Sequence, residues 1–127
     1  MFLNCYKLMT LDLSNFNTQS VTDMTQLFAN CYDLAKIKLK NFNMSKVGNL
    51  SYMFYKCNHL KTLELTRFDV SSTAIKMSKD VFTDVTGLKI YLSSNEYPTA
   101  TKKQQVQQIF KNLQFNSSNT NTISFVK

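Results

Sequence analysis

A pattern of apolar residues recurs every 26 positions, and this repetition constrains the fold more than any other feature of the chain. The first copy reads Leu-Met-Thr-Leu-Asp-Leu-Ser-Asn-Phe at 8–16, and equivalent segments follow at 34–42 and 60–68. The matching columns include Phe2, Phe28 and Phe54; Cys5, Cys31 and Cys57; Leu8, Leu34 and Leu60; Leu13, Leu39 and Leu65; and Phe16, Phe42 and Phe68. A repeat of this length is one supersecondary unit that cannot bury its apolar face alone. Stacked units are therefore predicted, with any function on a repeated surface rather than in a pocket.

Two periodicities alternate within each repeat. Leu11-x-Leu13 has a period of two, which predicts a short strand. The following apolar residues are spaced in steps of 3, 3, 1, 3 and 3, which predicts a short helix; they are Val21, Met24, Leu27, Phe28, Cys31 and Leu34. One strand and one helix per repeat predict an α/β solenoid of about four coils with parallel strands.

The repeats divide the chain into predicted coils and a predicted cap. The coils are placed at 1–26, 27–52, 53–78 and, in degenerate form, 79–92. Two residues are inserted between Phe68 and Phe82 relative to the earlier repeats, so a bulged loop is expected there. Residues 93–127 are predicted to shield the last coil as a C-terminal cap, with one helix and the strand Thr122–Val126. The helix is indicated by apolar residues on one face, namely Val106, Ile109, Phe110 and Leu113.

The repeat motif resembles a known family of bacterial surface proteins. The pattern Leu-x-x-Leu-x-Leu-x-x-Phe is that of a leucine-rich repeat with Phe in the usual Asn or Cys column. It is accompanied by Leu-Asp-Leu-Ser-Asn-Phe-Asn-Thr at 11–18, Val-Thr-Asp-Met at 21–24 and Met-Phe-x-x-Cys at 1–5 and 53–57. Over about residues 1–92 the chain thus resembles the BspA-like leucine-rich-repeat proteins. That resemblance implies an exported, wall- or membrane-tethered binding protein at the cell surface, but its signature positions lie in the core and assign no binding residue.

The start of the sequence falls inside a repeat. Met1-Phe2 occupies the columns of Met53-Phe54, so further repeats are expected upstream. The sequence contains neither a signal-peptide pattern nor an apolar run long enough for a membrane span. Apolar residues of the first coil would have no coil before them, and self-association through this open end is expected; they are Phe2, Leu8, Leu11 and Leu13.

The residue types needed for catalysis or metal binding do not form any recognisable pattern. The three cysteines follow the repeat period and are odd in number, so they are predicted to be buried free thiols rather than metal ligands or disulfide partners. His59 is the only histidine, and Lys7 and Asp33 occupy its column in the other repeats, which indicates a solvated position. We therefore predict no enzyme activity, no metal and no cofactor.

The strand side chains that point away from the core form the candidate ligand face. In parallel strands they would align in three rows: Thr10, Lys36, Thr62 and Lys89; Asp12, Lys38, Glu64 and Tyr91; and Ser14, Lys40, Thr66 and Ser93. The candidate binding residues among them are Lys36, Lys38, Lys40, Asp12, Glu64 and Tyr91. The charges of alternating sign predict a solvated ladder. The three lysines on one strand, beside Tyr91, instead predict a site for a sulfated or phosphorylated ligand.

These observations predict a non-enzymatic, adhesin-like binding module that recognises a protein or glycan, such as one on a host surface, through its sheet face. One alternative is a set of structural spacer repeats without a ligand. Another is a polyanion binder that uses the net charge of +7. Specific nucleic-acid binding is not expected, because no run of Lys or Arg is longer than two residues.

Overall fold

The protein is an α/β structure built on one parallel sheet. The computed structural model describes residues 1–66, 68, 77–115 and 120–127. Five strands pair in chain order: β1 (Thr10–Asp12), β2 (Lys36–Lys38), β3 (Thr62–Glu64), β4 (Lys89–Ser93) and β5 (Thr122–Val126). The helix α1 (Ala100–Asn112) lies between β4 and β5 in the sequence. The predicted α/β class and parallel sheet are confirmed and are consistent with a solenoid, whereas the number of coils stays a prediction. Below, a coil means one strand together with the segment that leads to the next strand.

The strands pair in the register that the repeat period predicts. Thr10 lies opposite Lys36, which lies opposite Thr62, and the same pairing continues to Lys89. The central residue of each short strand points inward, and Ile37 and the equivalent residues of β3 and β4 are almost completely buried. Branched apolar side chains in this column suit the inner face of a pleated sheet. The flanking residues therefore all reach the outer face.

The prediction of a helix within each repeat is wrong. Residues 24–30 form successive turns. Their backbone N–H groups donate alternately to a carbonyl of the same coil and to a carbonyl of the next coil. The Leu27 N–H donates to the Met24 carbonyl within the coil, whereas the Gln26 N–H donates to the Ser51 carbonyl of the next coil. Donors that leave the coil cannot make the bonds to the fourth preceding carbonyl that define an α-helix. The spacing of three that suggested a helix comes from the turns themselves.

Left-handed backbone conformations maintain these turns. Positive φ angles occur at the third residue of the four-residue turns, at Asn4, Gln26, Asn30, Tyr52, Lys56 and Asp84. This is the position at which a type II turn requires a positive φ. For residues other than glycine the left-handed conformation costs roughly 1–2 kcal/mol. The hydrogen bonds to the next coil offset that cost, so the conformation depends on the neighbouring coil.

Aromatic rings stack through the core along the direction of the repeat. The ring centroids of Phe2 and Phe28 are 5.7 Å apart, those of Phe28 and Phe54 are 5.4 Å apart, and those of Phe54 and Phe82 are 5.5 Å apart. Each pair is nearly parallel. Large apolar rings in successive coils therefore contact one another directly, and the repeat period is a packing requirement.

The C-terminal segment packs on the last aromatic ring of this column. The helix α1 begins after Thr99, whose hydroxyl accepts a hydrogen bond from the Lys102 N–H and so caps the helix. Phe110 is fully buried against Phe82, and β5 extends the sheet beside β4. The predicted helix and strand are confirmed, while the division into coils and cap at residue 93 stays a prediction. The bulged loop predicted between Phe68 and Phe82 falls mainly on residues 69–76, outside the described residues.

Candidate functional site

The structure brings all six candidate ligand-face residues onto one surface. We define the sheet face as the outward side chains of β1–β5 together with the residues that directly follow these strands. Its first row is Thr10, Lys36, Thr62, Lys89 and Thr122, and its second is Asp12, Lys38, Glu64, Tyr91 and Ser124. Lys40 joins this surface through its contact with Glu64. The first two predicted rows are thus confirmed, and β5 adds a fifth member to each, whereas the third row stays a prediction.

Ion pairs connect the lysines of the sheet face to carboxylates on neighbouring strands. The Lys36 Nζ atom lies 2.7 Å from a Glu64 oxygen, and the Lys40 Nζ atom lies 3.7 Å from the other. The Lys38 Nζ atom is 3.8 Å from an Asp12 oxygen. Three ammonium groups against two carboxylates leave one net positive charge. The lysines therefore do not form an unpaired cationic stripe, and the partly exposed pairs contribute little to stability.

Glu64 is the carboxylate around which these charges are organised. The Lys36 hydrogen bond, followed by the charges of Lys36, Lys40 and Lys38, lowers the pKa of Glu64 despite its partial burial. Glu64 is consequently ionised at neutral pH. Because its pKa is depressed in the folded chain, the ion pairs are present above the ordinary carboxyl pKa and are lost as the pH falls through the lowered value.

A cleft of about 430 Å³ opens on the sheet face beside the carboxyl ends of β3–β5. Its lining residues are Lys40, Glu64, Leu65, Thr66, Tyr91, Ser93, Val126 and Lys127. Sequence reasoning placed Thr66 and Ser93 on the outer face without assigning them a role. It missed Leu65, because this residue belongs to an apolar repeat column, and it missed Val126, because the pairing of β5 with β4 carries no repeat signal. The alternation of Thr122–Val126 indicated a strand but not its neighbour.

The cysteines occupy core positions, as their spacing predicts. Cys31 and Cys57 are fully buried, and Cys5 is partly buried. The Cys31 thiol donates to the Phe2 carbonyl at 3.0 Å, and the Cys57 thiol donates to the Phe28 carbonyl at 3.1 Å. Each thiol thus links its coil to the preceding one.

The buried thiols predict a loss of stability at alkaline pH. Burial raises the pKa of Cys31 to about 11 and that of Cys57 to about 12, from an ordinary value of 9.0. The unfolded chain therefore releases these protons at lower pH than the folded chain. We expect the free energy of unfolding to be unaffected by the thiols below about pH 9 and to fall as the pH rises toward 11 and 12.

Urea denaturation at pH 7 and pH 10, compared with a C31A/C57A variant, measures this effect. The variant controls for the lysines and tyrosines, which titrate in the same range. The parent chain should lose more stability between the two pH values than the variant. Equal losses in both proteins would contradict the prediction.

His59 lies on the surface, in agreement with the sequence interpretation. Its Nδ1 atom is 2.7 Å from the Tyr32 carbonyl oxygen and 3.8 Å from an Asp33 carboxylate oxygen. Within the described ranges no group of three or more metal-ligating side chains occurs. The described part of the chain also contains no helix long and apolar enough to cross a membrane.

The outer edge of β1 exposes apolar side chains, although not all of those expected from the sequence. Leu13 is buried, and Phe2, Leu8 and Leu11 are partly buried. The exposed apolar residues near this edge are instead Met1, Leu3, Tyr6, Met9 and Phe16. Self-association through this surface stays a prediction.

Comparison with known proteins gives a family without an assigned function. A family model described as "Mycoplasma protein of unknown function, DUF285" matches residues 1–123. The chain belongs to the DUF285 family. The match spans β1–β4, α1 and the start of β5, so the sheet face and most of its cleft lie within the family segment. Neither curated proteins nor solved structures gave a match.

Proposed function

We propose that this DUF285 chain is a non-enzymatic binding module of the cell surface, adhesin-like, that recognises a protein or glycan through its sheet face. The observation that carries the proposal is the gathering of charged, hydroxyl and aromatic side chains on one outward surface of a parallel sheet. The resemblance to BspA-like leucine-rich-repeat proteins supports the surface location and the adhesive role. In this proposal the repeat core serves to hold the sheet face.

The rigidity of the strands supports recognition by this surface. Its side chains project from backbone that is hydrogen-bonded to neighbouring strands on both sides for β2, β3 and β4. Sites on such elements keep their geometry better than sites on loops. The ion pairs of Lys36 and Lys40 with Glu64 further restrict the polar groups. A ligand would meet a surface that is already ordered, which reduces the entropy lost on binding.

The charge distribution disfavours the simple polyanion binder. The net charge of the whole chain is +7, but the five charged residues that form ion pairs on the sheet face contribute only one of those charges. Polyanion affinity requires several cations that can each neutralise a ligand charge. On the sheet face Asp12 and Glu64 already compensate two of the five lysine charges, which are those of Lys36, Lys38, Lys40, Lys89 and Lys127.

The proposal is tested by immobilising the chain and presenting a panel of extracellular matrix proteins and glycans. A K38A/Y91A variant removes one lysine and one tyrosine from the sheet face. A K46A/Y32A variant is the matched control, because it removes the same residue types from exposed positions outside the sheet. For a saturable ligand we expect the first variant to lose roughly tenfold in affinity and the control to stay within about twofold.

Two outcomes would contradict the proposal. Absence of any saturable ligand on a broad panel would favour the spacer interpretation. A ligand that is lost equally in both variants, and whose binding disappears at moderate salt concentration, would indicate capture by overall charge.

A further inference from the structure

We infer that the cleft beside the carboxyl ends of β3–β5 is a subsite for an acidic sugar, such as a uronic acid within an oligosaccharide. This inference rests on the proposed function and deepens it, because it names one part of the sheet face and one ligand class. It assigns the ligand carboxylate to Lys40, the apolar face of the sugar ring to Tyr91 and the sugar hydroxyls to Thr66, Ser93 and Glu64.

The cleft has the size and the rigid walls of a small-ligand site. Its volume of about 430 Å³ falls within the range of roughly 300–1,000 Å³ that is usual for such sites. Backbone hydrogen bonds hold its walls together: the Leu65 N–H donates to the Tyr91 carbonyl at 2.9 Å and the Ser93 N–H donates to the Thr66 carbonyl at 2.9 Å. The side chains that line the cleft are thus held by three paired strands.

Two lysines line the cleft, Lys40 and Lys127, and Lys40 is the one that lies beside Glu64. Glu64 has a close partner in Lys36 at 2.7 Å, whereas Lys40 lies at 3.7 Å and its side chain is 56% exposed. Lys40 can therefore turn toward a ligand carboxylate while Glu64 keeps its ion pair with Lys36. Two ammonium groups on one carboxylate also leave one positive charge uncompensated, which favours a negatively charged ligand.

The remaining lining suits a sugar ring. A pyranose ring has an apolar face that packs on aromatic side chains, and Tyr91 lines the cleft together with the apolar Val126. The hydroxyls of Thr66 and Ser93 both donate and accept hydrogen bonds, as sugar hydroxyls do.

The probe is a hexasaccharide of alternating glucuronic acid and N-acetylglucosamine, titrated into the isotope-labelled chain and followed by amide chemical shifts. An N-acetylglucosamine hexamer tests the need for the carboxylate, and a hexaglutamate peptide tests the need for the sugar. We expect the acidic hexasaccharide to shift the amides of Leu65, Thr66 and Ser93. Its affinity should exceed that of each control by about tenfold or more.

Single variants locate the subsite. K40Q and Y91A should each weaken the acidic hexasaccharide by about tenfold, while Y91F, which keeps the ring, should stay within about threefold. K46Q is the matched control, because Lys46 is exposed, lies outside the sheet face and does not line the cleft. Its affinity should stay within about twofold of the parent.

Several results would overturn the inference, and they separate it from the proposed function. If the neutral hexamer binds as tightly as the acidic hexasaccharide, Lys40 does not bind a ligand carboxylate. If hexaglutamate binds as tightly, the cleft is an acidic-peptide site. If the K38A/Y91A variant loses binding to a ligand from the panel but the parent chain does not bind the acidic hexasaccharide, the sheet face recognises another ligand. In that case only the assignment of the cleft fails. If no ligand of any kind binds, both fail.

Discussion

Replacing Phe54 with alanine is expected to lower the free energy of unfolding by about 3–5 kcal/mol. Phe54 is almost completely buried and stacks on Phe28 on one side and on Phe82 on the other. The change would remove both ring contacts and leave a cavity between coils that have little freedom to collapse. Because stability in stacked repeats comes from contacts between neighbours, the loss should also weaken cooperativity between the two parts of the chain. Urea denaturation followed by circular dichroism measures the effect.

Phe16 provides a matched control for this prediction. It is also a phenylalanine of the repeat motif, but it is 42% exposed. Phe16→Ala should therefore cost clearly less, about 1 kcal/mol. A Phe54→Ala variant that unfolds at the same urea concentration as Phe16→Ala would show that the aromatic column does not hold the coils together.

The second large effect is expected at Asn121, a buried amide that joins the C-terminal strand to the rest of the fold. Its Oδ1 atom accepts a hydrogen bond from the Leu88 N–H at 2.8 Å. Its Nδ2 group donates to the Val85 carbonyl at 3.0 Å and to the Phe115 carbonyl at 2.8 Å. Asn121→Ala would remove at least these three hydrogen bonds from a buried position. We expect a loss of about 2–4 kcal/mol.

Hydrogen exchange distinguishes a local from a global role of Asn121. In the variant, amides of β5 should exchange faster than those of β2 and β3, because β5 would lose the contact that positions its start. Asn112→Ala is the control, since Asn112 is exposed and bonds only to Gln108 among the contacts seen. It should change stability by about 0.5 kcal/mol or less. Equal effects of the two substitutions would contradict a structural role for the buried amide.

The repeat period predicted the sheet because strand pairing depends on residues that recur. The inward column of Leu11, Ile37 and Leu63 and the outward column of Asp12, Lys38 and Glu64 are readable from spacing alone. Burial on one face and charge on the other fix the register. The same reasoning placed the six candidate residues on one surface without knowledge of any contact.

The turns could not be predicted from residue types, because their conformation is set by the next coil. Tyr52 and Lys56 adopt positive φ angles that neither residue favours by itself. The Tyr52 N–H donates to the Lys79 carbonyl and the Lys56 N–H donates to the Thr83 carbonyl, each in the following coil. Spacing alone cannot distinguish such turns from a helix, since both place apolar residues every three or four positions.

Sequence reasoning did not predict the cleft or the burial of the Asn121 side chain, for a related reason. Asn121 directly follows a polar run of Asn and Ser that is typical of an exposed loop, and only its position behind Leu88 makes it a core residue. Val126 reaches the cleft because β5 pairs with β4. The positions of Asn121 and Val126 both depend on the pairing of the last segment with β4, which the repeat pattern does not determine.

The backbone N–H groups of the turns donate alternately within a coil and to the next coil, and this has a mechanical consequence. In each coil one set of donors closes the coil on itself, and the other set, such as the Phe28 N–H to the Met53 carbonyl, points along the stacking direction. The sheet hydrogen bonds between strands point in the same direction. Tension applied along the stack would load all interfaces between coils equally, because they are in series, and the weakest would open first, so coils would detach one after another. A longer stack of such coils would lengthen stepwise under tension and dissipate the force.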